Sequence, residues 1–349
     1  MHKKSILIII NDITASGGTE RVATFLANNF SRTGIKVTIL SLFHYGDSPY
    51  YELDKKVQLE VLEGNGFSDL AKFFKTNIFD AIIPISMGRL SFKVSIVHSL
   101  LRLKSQLVLS EHVGFETSSY LVRKLKLLSY NLADDLVLLT QHDYGVLKDK
   151  TSANVSVISN ASSFQTMEGS SLPNKEKVVL AVGRLTYQKA FEKLIDIWAT
   201  IENKQDWKLR IIGDGEDKEK LQSLIHHHGL SNSVELKPSS KNISEECEAA
   251  SIITMTSRFE GLPLVLIESK SFGLAAISYN CKTGPKEIIN HNEDGYVIDY
   301  NDHSSFKARL VELMGNSRKR KKMQLAAIEC SRNYSIDSIF SQWQKILRK

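Results

Sequence analysis

Cysteine is scarce in this chain. Cys247, Cys281 and Cys330 are the three among 349 residues, odd in number and far apart. That excludes a disulfide framework and any Cys/His spacing for zinc, and it favours a reducing compartment. No Asp-x-Asp occurs, so one common way of holding a divalent cation between carboxylates is missing. No apolar run reaches the length of a transmembrane helix. Residues 5–10 follow His2-Lys3-Lys4 in the manner of a short signal peptide, but they stop at Asn11-Asp12, so a first β-strand is expected instead. There is no internal repeat or low-complexity tract. Neither sign of charge dominates, with 45 Lys and Arg against 39 Asp and Glu and a net charge of +6. This mild excess permits attraction to phosphates or an anionic membrane and requires neither.

What is present is an alternation. Hydrophobic residues make up 42% and charged residues 24%, as in globular proteins. The length suits two α/β domains. Apolar runs at residues 5–10, 37–42, 59–62, 81–85, 107–109, 135–139 and 155–158 read as strands. A second series follows at 178–182, 207–212, 234–236, 252–255 and 275–279. Helical periodicity fills the intervals, as with Val22, Phe25, Leu26 and Phe30, or Phe191, Leu194, Ile195 and Trp198. Strand–helix alternation gives parallel, doubly wound sheets. Residues 162–177 are polar, Ser-rich and contain Pro173, which predicts a linker.

In such sheets ligands bind outside the carboxyl ends of strands, so the strand-to-helix loops matter most. The segment after residues 252–255 reads Arg258-Phe259-Glu260-Gly261-Leu262-Pro263, then an apolar run to Glu268. Pro263 suits a first helical position. Glu260 is expected in the loop and Glu268 in the helix, and two such carboxylates can face one crevice. After residues 178–182 come Gly183-Arg184, with Lys189-Ala190 further on. Two cations at a helix start are disfavoured by the helix dipole, which makes sense if an anion binds there. Gly17-Gly18 precedes the first helix, where backbone N–H groups can meet an anion. His112 stands just past a strand end, as either a structural or a functional histidine. Gly213-Asp214-Gly215 lacks the third glycine of a dinucleotide fingerprint, because Lys218 stands there, so a tight turn is expected. His226, His227 and His228 are consecutive and point around a helix, away from a common metal. Residues 120–130 interleave leucines with Arg123, Lys124 and Lys126. This suits either an ordinary amphipathic helix or one lying on an anionic membrane.

Residues 257–268, S-R-F-E-G-L-P-L-V-L-I-E, resemble the Glu-(seven residues)-Glu signature of retaining glycosyltransferases of family 4, which have the GT-B fold. G-G-T-E-R at 17–21, S-E-H at 110–112, G-R-L with Lys189, I-G-D-G at 212–215, the segment around Glu287 and D-G-Y-V at 294–297 resemble further family motifs. One departure stands out: Ala190 replaces the family's glycine, which puts the tightness of that loop in question.

The resemblance implies an α/β GT-B fold, with two doubly wound Rossmann-like domains facing a central cleft. Residues 1–165 would bind the acceptor and 178–330 the nucleotide sugar. Residues 331–349 would carry a helix back to the first domain. It implies transfer of a hexosyl unit from a nucleotide sugar, UDP-linked by preference, with retention and without metal or other cofactor. Glu260, His112, Arg184 and Lys189 would be catalytic. Gly17, Gly18, Gly183, Lys237, Phe259, Gly261, Leu262 and Glu268 would bind substrate. The acceptor would be a glycan or polyprenyl-diphosphate-linked glycan in O-antigen, capsule or lipopolysaccharide synthesis. Arg123, Lys124 and Lys126 would touch the inner face of the cell membrane, and no nucleic acid is implied. A sugar-nucleotide epimerase and a non-catalytic sugar-nucleotide-binding subunit stay open as alternatives.

Overall fold

A computed structural model describes residues 4–347, apart from 63, 65, 87, 168–173 and 241. Pro173 lies outside the described residues. The chain divides into two units, residues 1–160 with 339–349, and residues 161–338.

The first unit runs β1 (Ser5–Asp12), α1 (Gly18–Arg32), β2 (Lys36–Phe43), β3 (Gln58–Val61), α2 (Phe67–Thr76), β4 (Ala81–Ser86), α3 (Arg89–Leu100), β5 (Gln106–Glu111), α4 (Tyr120–Asn131), β6 (Asp135–Leu138), α5 (Gln141–Leu147) and β7 (Asn154–Val157). Its sheet is parallel, in the order β3-β2-β1-β4-β5-β6-β7. Ile6, Leu7, Ile8 and Ile9 are fully buried, because helices cover both faces of a sheet whose connections are crossovers.

The second unit runs β8 (Val178–Val182), α6 (Phe191–Ala199), β9 (Lys208–Ile212), α7 (Lys218–His227), β10 (Val234–Lys237), α8 (Ile243–Ala249), β11 (Ile252–Met255), α9 (Leu264–Ser271), β12 (Ala275–Asn280), α10 (Pro285–Ile288), β13 (Gly295–Asp299), α11 (His303–Gly315) and α12 (Ser317–Ser331). Its parallel sheet has the order β10-β9-β8-β11-β12-β13. Trp198 and Trp207 anchor its core beside Leu194, Ile211 and Phe306. The last helix, α13 (Ile336–Ile346), buries Ile339, Trp343 and Ile346. Phe340 meets Phe30 edge-on at 4.9 Å, and Gln106 donates to the Ile346 carbonyl.

Both sheets have one place where the winding reverses. In the first unit it lies between β1 and β4, and in the second between β8 and β11. There the crossover helices leave in opposite directions, which opens a crevice at the carboxyl ends.

Three local expectations need correction. Pro263 has ψ of 109° and is the cap residue, so α9 begins at Leu264. Residues 161–167 do not hang as a linker. Ser162 N donates to the Tyr334 carbonyl, Met167 N donates to the Ser271 carbonyl, and the Phe164 ring packs on Phe272. Lastly, Arg123, Lys124 and Lys126 do not share one face. Lys126 is 1% exposed and pairs with buried Glu111 at 3.2 Å, so it cannot reach a membrane. The exposed side of α4 is Tyr120, Leu121, Lys124, Leu125 and Leu128.

Candidate active site

In the second unit the two loops flanking the reversal carry most of the expected residues. Residues 183–190 follow β8 and residues 256–263 follow β11. Lys189 Nζ donates to Glu260 Oε1 at 2.6 Å. Glu260 is 6% exposed, and its second carboxylate oxygen lies 3.5 Å from Gln188 Nε2. The cation and the carboxylate, 71 positions apart in sequence, thus meet across the crevice. The methylene stem of Lys189 lies over Gly183, where an added Cβ would come within 3.0 Å of Lys189 Cε. Arg184 is exposed on the same loop, and Phe259 is exposed beside Glu260.

The loop owes its shape to its neighbours. Gly213 sits so close that a Cβ there would lie 1.9 Å from the Gly183 carbonyl oxygen. Leu185 N donates to the Asp214 carbonyl and Asp217 N to the Leu185 carbonyl. The Gly213-Asp214-Gly215 turn is therefore a buttress for the Arg184 loop. Ala190 has φ of 53° and ψ of 41°. It holds the left-handed conformation natural to glycine, at a cost of about 1–2 kcal/mol, so the loop is as tight as a glycine would make it. Thr256 Oγ1 donates to the Ala190 carbonyl at 3.1 Å and secures that turn.

The Glu260 loop is fixed from the other side. Thr283 Oγ1 donates to the Glu260 carbonyl. Gly284 has φ of +99°, and a Cβ there would meet the Gly261 carbonyl oxygen at 2.7 Å and Pro263 Cδ at 2.6 Å. Glu268 lies on α9 and is 6% exposed, and Leu262 is 7% exposed. Two thiols report the carboxylates' field. Burial, reinforced by Glu268, pushes the Cys247 thiol up to about 12. Burial, reinforced by Glu260 and opposed by Lys189, pushes Cys281 up to about 12. Both thiols stay protonated and unreactive at neutral pH.

Lys237 ends β10 with its ammonium 2.9 Å from Glu246. Arg210 joins the same cluster through Glu235 and Glu246 at 2.6 and 2.8 Å. Gln188, Arg258, Thr256 and Thr283 were missed as site residues. Position in the two strand-end loops was the signal that could have found Gln188 and Arg258.

In the first unit, Gly17 caps α1, whose first residue is Gly18. The Glu20 carboxylate folds back so closely that a Cβ on Gly17 would lie 2.3 Å from Oε2. That helix start thus already has an anion of its own beside it, which suits the dipole. His112 follows β5, its N–H donating to the Ser86 carbonyl at 2.8 Å and its Nε2 lying 2.9 Å from Ser110 Oγ. Burial pushes its imidazole down to about 4, so the ring is neutral at pH 7. Beneath it Ser91 Oγ donates to Glu111 Oε1 at 2.6 Å. Burial and the Glu111 carboxylate raise the Tyr130 phenol well above its usual range.

Among the described residues no group of three or more His, Cys, Asp or Glu stands where a metal could be held. His228 instead approaches Asp196 at 3.0 Å. Among them, too, no helix is long and apolar enough to cross a membrane.

Comparison with known proteins gives this arrangement a context. Residues 163–329 match the family described as glycosyl transferases group 1. The amylovoran biosynthesis glycosyltransferase AmsD of Erwinia amylovora is 42% identical over 98% of this chain and 99% of its own. An alpha-1,4-N-acetyl-D-galactosaminyltransferase of Campylobacter jejuni, whose name includes a diNAcBac-PP-undecaprenol glycan, is 27% identical over 95% of both chains. The crystal structure of Anabaena Alr3699/HepE in complex with UDP superposes with a TM-score of 0.81 at 17% identity, covering 99% of each chain. Two parallel Rossmann-like sheets with such neighbours make this a GT-B fold.

Proposed function

Because the chain belongs to the group 1 glycosyltransferases, we propose that it moves a hexosyl unit from a nucleotide sugar to a glycan acceptor, with retention at the anomeric carbon and without a metal ion. This is the chemistry of glycosyltransferase family 4. The single observation that carries the reading is the Lys189–Glu260 contact at 2.6 Å, in the crevice where the winding of the second sheet reverses.

Cleavage of the sugar–phosphate bond builds negative charge on the departing diphosphate. A preset cation beside that oxygen stabilises the transition state more than the ground state. Lys189 supplies a mobile point charge and exposed Arg184 a planar fork. In the free protein Glu260 neutralises Lys189. When the diphosphate takes over the ammonium, the carboxylate turns to the sugar hydroxyls and to the positive charge growing on the ring. Glu268 accepts from ribose hydroxyls, and His112, kept neutral, positions the sugar. Gly17, Gly18, Gly183, Lys237, Phe259, Gly261 and Leu262 complete the substrate contacts. Residues 178–330 would hold the donor and the first unit the acceptor. UDP is the favoured nucleotide, as it is the one bound in Anabaena HepE.

A lipid-linked or surface glycan is the proposed acceptor, supported by the undecaprenol-linked glycan in the name of the Campylobacter relative. Contact with the inner membrane face, if made through α4, would use Lys124 and its apolar neighbours and not Lys126.

The test is a thermal-shift screen against a panel of nucleotide sugars, since a ligand bound to the folded form raises its melting temperature. One nucleotide sugar should stabilise the wild type and lose that effect in Lys189→Ala. A flat response across the panel would overturn the proposal. Turnover of donor without acceptor to an isomeric nucleotide sugar would favour the epimerase, and binding without turnover the non-catalytic subunit.

A further inference from the structure

We propose that Arg258 is a positioning residue, which locks the Lys189 loop onto the Glu260 loop before the donor arrives. The proposal rests on the reading that Lys189 meets the donor diphosphate. It adds to that reading the device that aims the cation.

Arg258 touches the Lys189 loop at three points and the start of α6 at a fourth. Its backbone N–H donates to the Gln188 carbonyl at 2.8 Å. One guanidinium nitrogen donates to the Tyr187 carbonyl and another to the Glu192 carboxylate. The guanidinium carbon lies 3.9 Å from the centre of the Tyr187 ring. These partners bracket Lys189, with residues 187 and 188 on one side and 192 on the other. Gln188 returns the connection, donating to the Phe259 carbonyl at 2.9 Å. Arg258 is also the close neighbour of Glu260, so one side chain ties both members of the ion pair to a shared frame.

A tether is needed at this place. Ala190 holds a left-handed conformation that an L-residue avoids. An untethered loop would relax toward ordinary φ values and carry the Lys189 ammonium off Glu260. Only a planar, multi-donor group can donate to a carbonyl and a carboxylate while lying on an aromatic face. Lysine could keep the charge but not that set of contacts. The guanidinium is spent on the loop itself and has no need to touch the substrate.

The experiment uses the full chain and has two arms. In the first, UDP is titrated by calorimetry into wild type, Arg258→Ala, Arg258→Lys, Lys189→Ala and the Arg258→Ala/Lys189→Ala double variant. Arg258→Ala should weaken UDP by about tenfold or more, and Arg258→Lys should fail to restore it. In the Lys189→Ala background the Arg258→Ala change should cost little further, because the two act as one unit. Equal losses in both backgrounds, full rescue by lysine, or an unchanged affinity would overturn the proposal. In the second arm, amide exchange is followed at Lys189, whose N–H donates to the Thr186 carbonyl. Arg258→Ala should speed that exchange while β8 amides stay protected. Unchanged exchange at Lys189 overturns the tether even if no wild-type UDP binding is found, an outcome that would count against the UDP-donor reading alone. Faster exchange throughout β8 would mark general unfolding and also overturn it.

Discussion

At the scale of single residues, the proposed function rests on charges held in set surroundings. Replacing Lys189 or Arg184 by alanine is expected to lower donor turnover by about 10²–10³-fold, with the melting temperature nearly unchanged for exposed Arg184 and lowered for Lys189, whose loss leaves buried Glu260 unpaired, as measured by steady-state kinetics beside calorimetry. His112 gives a prediction in pH. Its folded value of about 4 lies below the usual 6.5. Between those limits the unfolded chain takes up a proton that the folded one refuses, so stability falls as pH drops from 6.5 to 4. The loss is up to roughly 3 kcal/mol. Urea titrations at pH 7 and 5 should show a smaller drop for His112→Gln than for wild type. Ala190 gives a prediction of opposite sign. Glycine there removes the left-handed strain, so Ala190→Gly should stabilise by about 1 kcal/mol in the same assay. The sequence announced some of this. Glu260, Arg184 and Lys189 were expected from their place in strand-end loops, from two cations at a helix start and from the family resemblance. The pairing of Lys189 with Glu260 was not legible, since nothing local couples residues 71 positions apart. Lys126 misled for the same reason: its buried partner, Glu111, belongs to a different element.

At the scale of elements, loops do the positioning and strands set where loops begin. Gly284 is the sharpest case. Alanine there would have to fit against the Gly261 carbonyl and Pro263 at φ of +99°. Gly284→Ala should destabilise by roughly 1–3 kcal/mol. Activity should fall further than stability explains, because the displaced segment leads straight into Glu260. Chemical denaturation together with turnover of the stabilising nucleotide sugar would check both. Strands were the most legible elements, because buried parallel strands are continuous apolar runs. Val178–Val182 and Ile252–Met255 coincide with those runs. Ends were less legible: β1 runs on to Asp12 and β5 to Glu111, since ladder bonds extend a strand past its last apolar side chain. The docking of residues 161–167 was hidden behind a polar composition, as hydroxyls that bond to a neighbouring backbone look the same in sequence as hydroxyls facing water.

At the scale of the whole molecule, each sheet reverses its winding once, and most of the expected site residues follow the strands beside those reversals, whereas His112 follows β5 and Lys237 ends β10, away from them. Such a layout leaves chemistry to loops and stability to strands, which is how one GT-B frame serves many sugars. The alternation of apolar runs and helical periods made the frame readable. The sugar and acceptor were not readable, because they depend on a few side chains whose neighbours only folding brings near. The central claim is that fixed cations, and no metal, carry the leaving diphosphate. Its most direct test is the rate of nucleoside diphosphate release from the stabilising nucleotide sugar, measured in EDTA and again with magnesium, for wild type and Lys189→Ala. The account predicts equal wild-type rates in the two buffers and a loss of about 10²-fold or more in the variant. A wild type that is silent in EDTA and revived by magnesium, or a variant as fast as its parent, would contradict it.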